Sequence, residues 1–146
     1  MPHRSVGTII KNQSIIVATA DMSVSVAAAS MCEAHVGAIL VAGADGKLVG
    51  IFTERDALNR VLAKGKDARQ TTLGDVMTAD PKTVTADLPF RTALYLMHEH
   101  NFRHVPVVDA AGKPLGVVSV RDALGPEMEE FKEDQTQREH LQEILG

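Results

Sequence analysis

Gly50-Ile51-Phe52-Thr53-Glu54-Arg55-Asp56 returns 66 positions later as Gly116-Val117-Val118-Ser119-Val120-Arg121-Asp122. Each copy is an apolar strand that breaks into a helix at a hydroxyl residue. An aspartate follows three positions on, and Ala57-Leu58 or Ala123-Leu124 is expected to continue the helix. The register holds without gaps from Asp21/Asp87 to Leu58/Leu124, where Ala27/Ala93, Met31/Met97, Glu33/Glu99, Val41/Val107 and Gly46/Gly112 also coincide. The chain is an internal duplication.

Outward from the motif, each half reads as strand, helix, strand, strand, helix. Val6 to Ile10 and Leu73 to Met77 are matching openings, and Ile15–Val17 and Thr83–Thr85 are brief β-branched strands. Asp21 and Asp87 are expected to cap the next helices, whose inner faces are Val24, Ala27, Ala28, Met31 and Phe90, Ala93, Leu94, Met97. Ala38–Val41 and His104–Val108 turn at Asp45-Gly46 and Ala111-Gly112 into Leu48–Phe52 and Leu115–Val118. The helix after the first motif is expected to end near Gly65, and Met1–Arg4 to be a loose arm.

These spacings give an α/β (α+β) chain of two β-α-β-β-α repeats, 5–65 and 73–125, joined by a 66–72 linker. A helical tail covers 126–146. A half of this size is small for a core of its own, so the repeats are expected to pack about a pseudo-twofold axis.

Composition narrows the partners. Seven acids against two basic residues in 127–146 leave the body near neutral, within an overall charge of −4 and 3% aromatics. That body lacks the basic face and stacking rings of a nucleic-acid binder. No apolar run approaches the ~20 residues of a membrane span. With one cysteine, Cys32, and no h-region in Met1–Thr8, the expected compartment is cytoplasmic.

Thr53-x-x-Asp56 and Ser119-x-x-Asp122 fit a capping box, which needs no ligand. Their repetition after Gly-apolar-apolar adds a second reading. A helix N-terminus attracts anions, Arg55 and Arg121 add charge toward a phosphate, and an aspartate can accept from both hydroxyls of a ribose. Glycine at position 50 or 116 either lets a flat base approach the backbone or permits close packing of strands.

The duplicated Gly-apolar-apolar-(Thr/Ser)-x-x-Asp, with Phe102-Arg103-His104-Val105-Pro106-Val107-Val108-Asp109 ahead of its second copy, resembles a tandem cystathionine-β-synthase (CBS) domain pair, or Bateman module, over about residues 5–125. The resemblance implies clefts between the halves for an adenosine compound: AMP, ADP, ATP, NAD or S-adenosylmethionine. It implies phosphate and ribose contacts at Thr53, Asp56, Ser119 and Asp122. It also implies base contacts at Ile16 and Val17 and at Thr83 and Val84, and a flat homodimer. The first half has Gly37-Ala38-Ile39-Leu40 where the second has Arg103-His104-Val105-Pro106, so the clefts are expected to be inequivalent, with the stronger one left open.

Other chemistry is weaker. His98, His100 and His104 match no zinc spacing, and Cys32 has no orienting histidine and acid. No nucleophile elbow or phosphate-binding glycine loop occurs. The reading is a regulatory nucleotide-binding module, not an enzyme, acting on a protein partner that the sequence does not identify. The alternative is a constitutive assembly module with vestigial clefts, built on the tail helix.

Overall fold

The computed structural model describes residues 4–145. The first half contributes α1 (Val6–Ile10), β1 (Val17–Ala18), α2 (Val24–Ala34), β2 (Ala38–Ala42) and β3 (Leu48–Thr53), then α3 (Glu54–Asp56), which widens into a π-helical turn over Ala57–Leu62. The second contributes α4 (Leu73–Val76), β4 (Thr78–Ala79), α5 (Phe90–His100), β5 (His104–Val108), β6 (Pro114–Ser119), a 3₁₀ turn Val120–Asp122 and α6 (Gly125–Leu145).

Four strands form one sheet in the order β1-β2-β3-β4, with β1 parallel to β2 and the rest antiparallel. The second sheet is the β5-β6 hairpin, extended by a parallel bridge from Val84 to Val107. Both hairpins turn on glycines at positive φ, Gly46 at 81° and Gly112 at 85°. The helices α2 and α5 each end on a left-handed residue, His35 and Asn101, at φ 56°.

The opening helices are exchanged between the halves. Val6 and Gly7 donate to the carbonyls of Leu88 and Ala86, while Leu73 and Gly74 donate to those of Met22 and Ala20, all at 2.8–2.9 Å. Val6 lies in the core with Phe90, Leu94 and Val105; Leu73 and Val76 lie in the core with Val24, Ile39 and Phe52. These reciprocal contacts are the pseudo-twofold relation. A third small cluster, Ala38, Leu40 and Ile51 with Val117 packed on it, joins the two sheets.

Four local expectations need correction. Ser23 caps α2, accepting from the Val26 N–H, and Pro89 holds the N-cap position of α5; Asp21 and Asp87 instead accept from the hydroxyls of Thr19 and Thr85. Ala123 is extended at ψ 126°, so no helix runs through Ala123-Leu124. A continuing helix would need residue 126 to donate to the Asp122 carbonyl, but Pro126 has no N–H. That carbonyl accepts from Arg4 at 2.7 Å. Arg4 also pairs with Glu127, so this end of the expected arm is anchored, while residues 1–3 lie outside the described residues.

Candidate functional site: two clefts between the halves

Two cavities lie where the β2/β3 and β5/β6 hairpin ends meet. The larger, about 360 Å³, brings Thr53, Arg55 and Asp56 from the first half against Lys82, Arg103 and His104 from the second. The smaller, about 220 Å³, brings Ser119, Arg121 and Asp122 against Ile16, Gly37 and Ala38. Neither cleft is complete in one repeat.

The hydroxyl and acid of each motif form the capping box and face a cleft at once. Thr53 Oγ1 accepts from the Asp56 N–H at 3.2 Å, and Asp56 Oδ2 accepts from the Thr53 N–H at 2.9 Å. In the second copy Asp122 Oδ2 accepts from the Ser119 N–H at 2.7 Å, and Ser119 Oγ from the Arg121 N–H at 3.2 Å. The cap consumes one carboxylate oxygen of each aspartate. The other oxygen of Asp56 lies 3.6 Å from Arg60 Nε; that of Asp122 has no hydrogen bond among the described residues. Because the second motif leads into only three residues of 3₁₀ turn, the macrodipole argument fails there.

His104 lines both cavities and is the wall between them. Burial pushes its imidazole below the ordinary histidine range; Glu54 opposes this, Arg121 and Arg103 reinforce it, and Asp122 opposes it weakly. Arg121 Nη2 reaches Glu54 Oε1 at 3.8 Å across the same wall, an exposed pair worth little by itself. A Cβ on Gly37 would stand 3.1 Å from Glu54 Oε1 and 3.2 Å from His104 Nε2, so a larger residue there would have to push these two side chains aside.

Several expected contacts fall elsewhere. Val17 is exposed in β1, Thr83 is exposed outside the larger cleft, and Val84 is buried in the second core. Of the four base-contact residues, only Ile16 lines a cavity. Pro106 is fully buried, offering its carbonyl to the Val84 N–H; the strand needs no donor from it there. Gly50 and Gly116 serve packing, because a Cβ would overlap Met77 at the first and lie 2.8 Å from Ile10 Cγ2 at the second. His98 packs on Phe131 and His100 stacks on Phe102, so the three histidines diverge. Glu54, Lys82, Asn101 and Gln13 line the clefts without being singled out in the sequence. Aligning the openings at their offset of 67 would have flagged Gln13 opposite Asp80.

This architecture, two exchanged α/β repeats enclosing paired clefts, has close counterparts. The sequence profile of the CBS domain matches residues 6–63 and again 73–126, and the chain belongs to the CBS domain family. It is 36% identical over 120 residues to the mitochondrial CBS domain-containing protein CBSX3 of Arabidopsis thaliana, covering 80% of this chain and 58% of that protein. It spans only 16% of the Meiotically up-regulated gene 70 protein of Schizosaccharomyces pombe, which it matches at 34% identity over 73% of its own length. The CBS domain pair of protein MJ0100, solved with 5′-methylthioadenosine and S-adenosyl-L-methionine, superposes with a TM-score of 0.75 at 29% identity, covering 83% of this chain and 93% of that one. Among the described residues no helix is long and apolar enough to cross a membrane.

Proposed function

We propose that the chain is a regulatory, non-catalytic module that takes an adenosine nucleotide in the larger cleft and reports its presence to a protein partner. One observation carries the reading: Thr53 and Asp56 of one repeat share a single cavity with Lys82, Arg103 and His104 of the other. Phosphates would meet Thr53 and the cationic side; the ribose would meet the Asp56 oxygen turned away from its cap. A ligand held this way bridges the repeats, so it favours whichever relative placement it fits best.

The likeness to the MJ0100 pair, which holds two adenosine compounds, supports the ligand class. The smaller cleft is proposed as the weaker site, because its motif lacks a following helix and, beside the shared His104, its lining offers Arg121 where the larger cleft has Arg55, Lys82 and Arg103. Leu58 and Leu62, 58% and 73% exposed on the π-helical turn, are the proposed faces of a homodimer.

Calorimetry with AMP, ATP, NAD and S-adenosylmethionine tests the reading. Asp56→Ala should weaken binding at least about tenfold and Asp122→Ala less, with circular dichroism confirming both variants folded. A wild-type chain that takes none of these compounds at millimolar concentration overturns it.

A further inference from the structure

Arg121 is the one lysine or arginine among the described residues that line the smaller cleft, yet its ion partner belongs to the larger one. Its Nη2 lies 3.8 Å from Oε1 of Glu54, which lines the larger cleft and not the smaller. Among the described residues no other ion pair joins the two clefts. Glu54 is rooted at the divide, because its N–H donates to the carbonyl of Gly37, a smaller-cleft residue, at 3.0 Å.

The duplication holds no second pair of this kind. Val120 stands 66 positions on from Glu54, and Arg55, the twin of Arg121, donates to the neutral Asn101 carbonyl at 2.9 Å. The acid at the divide therefore has no counterpart, and the linkage runs one way only. The Arg121 and Glu54 side chains are 75% and 62% exposed, so their pair is weak and exchanges partners readily. A phosphate held beside Ser119 is a stronger acceptor for a forked guanidinium and would draw Arg121 away. Glu54 is then left uncompensated on the wall of the larger cleft, where it opposes a second anion. The reverse follows from linkage: an anion in the larger cleft makes Glu54 hold Arg121 more tightly, at the smaller cleft's expense.

We infer that the two clefts bind anionic ligands anticooperatively, because Glu54 of one and a phosphate in the other compete for Arg121. This rests on the adenosine reading of the larger cleft and on the smaller cleft as its weaker companion. A ligand without a phosphate makes no claim on Arg121, so the coupling separates ligands by charge and not by base.

Titration of the isotope-labelled full chain with AMP reads the clefts separately, through the Thr53 and Ser119 amide resonances. Glu54→Gln should tighten AMP at the Ser119 site about threefold, the scale of an exposed ion pair, and the gain should fade in about 0.5 M salt. The same substitution in an Arg121→Gln chain should give no gain. Asp56→Ala, which empties the larger cleft at concentrations that fill it in wild type, should also tighten the Ser119 site. Should that variant unfold, the Glu54 and Arg121 variants decide alone. Adenosine should show none of these gains. A Ser119 site that takes no AMP, that ignores Glu54→Gln or a folded Asp56→Ala, or that gains equally without Arg121 or with adenosine, overturns the coupling and leaves the larger-cleft reading intact. AMP that shifts neither resonance overturns both.

Discussion

Gly50 and Gly116 occupy equivalent places but face different neighbours. At Gly50 an added Cβ overlaps Met77, an unbranched chain that can swing aside. At Gly116 it comes within 2.9 Å of Ile10 Cβ, and a β-branched chain close to its backbone cannot give as easily. Gly116→Ala should therefore cost more than Gly50→Ala, about 3 against about 1 kcal/mol by denaturant titration. Met77→Ala added to Gly50→Ala should recover part of that variant's clash, and equal costs for the two glycines would contradict the packing account. His104 supplies a pH prediction at the same scale. Its folded-state pKa lies below its unfolded value, so between the two the unfolded chain binds more protons. Its contribution to stability is intact above both values, fades as pH falls below about 6.5, and is fully lost below the folded pKa. The denaturation midpoint of wild type should drop more steeply between pH 7 and 5 than that of His104→Gln; parallel curves would exclude the effect.

Among the elements, α6 depends on few anchors. Phe131 is buried against α5, with its ring 5.4 Å from that of Tyr95 at 76°, and Arg91 pairs with Glu130 and Asp134. Beyond them Leu141, Ile144 and Leu145 are exposed. Phe131→Ala should cost about 3 kcal/mol and make 126–146 the first segment cut in limited proteolysis. A protected tail in that variant would mean that the ion pairs suffice. The tail's helicity, the two hairpins and the doubled architecture were legible because they rest on local composition and on a repeat that the sequence carries twice; Thr83–Thr85, expected as a strand, forms only the bridge at Val84, and the two residues of β4 carry no pattern that would reveal them. The start of α6 was legible in principle, since Pro126 forbids the bond that continuing through Ala123 requires. The exchange of α1 and α4 was not, because Val6 chooses between two apolar faces of similar chemistry. For the same reason the motif identified Thr53, Asp56, Ser119 and Asp122, while Lys82, Asn101 and Glu54 reach the clefts only through tertiary placement. Asp21 and Asp87 misled because Ser23 and Pro89, two residues on, take the cap positions.

At the scale of the whole molecule, the exchange makes each repeat depend on the other. A fragment ending near residue 70 keeps α1 without its partner core and lacks Leu73 and Val76, which close the core that remains. Fragments 1–70 and 71–146 should each be largely unfolded by circular dichroism and regain native helicity when mixed; independent folding of either would contradict the mutual dependence. The exchange also leaves a difference at the two sheet borders. At Ile51 and Gly50 the border is completed by the main chain of β4. At Val117 it is completed by the Gln13 side chain, whose amide both donates to the Val117 carbonyl and accepts from its N–H, at 2.8 Å each. One amino acid thus stands in for a strand. Gln13→Leu would unzip that margin in a single step, whereas no replacement of one side chain deletes the peptide groups at the opposite margin, so the two flanks of a nearly symmetric protein tolerate mutational drift unequally.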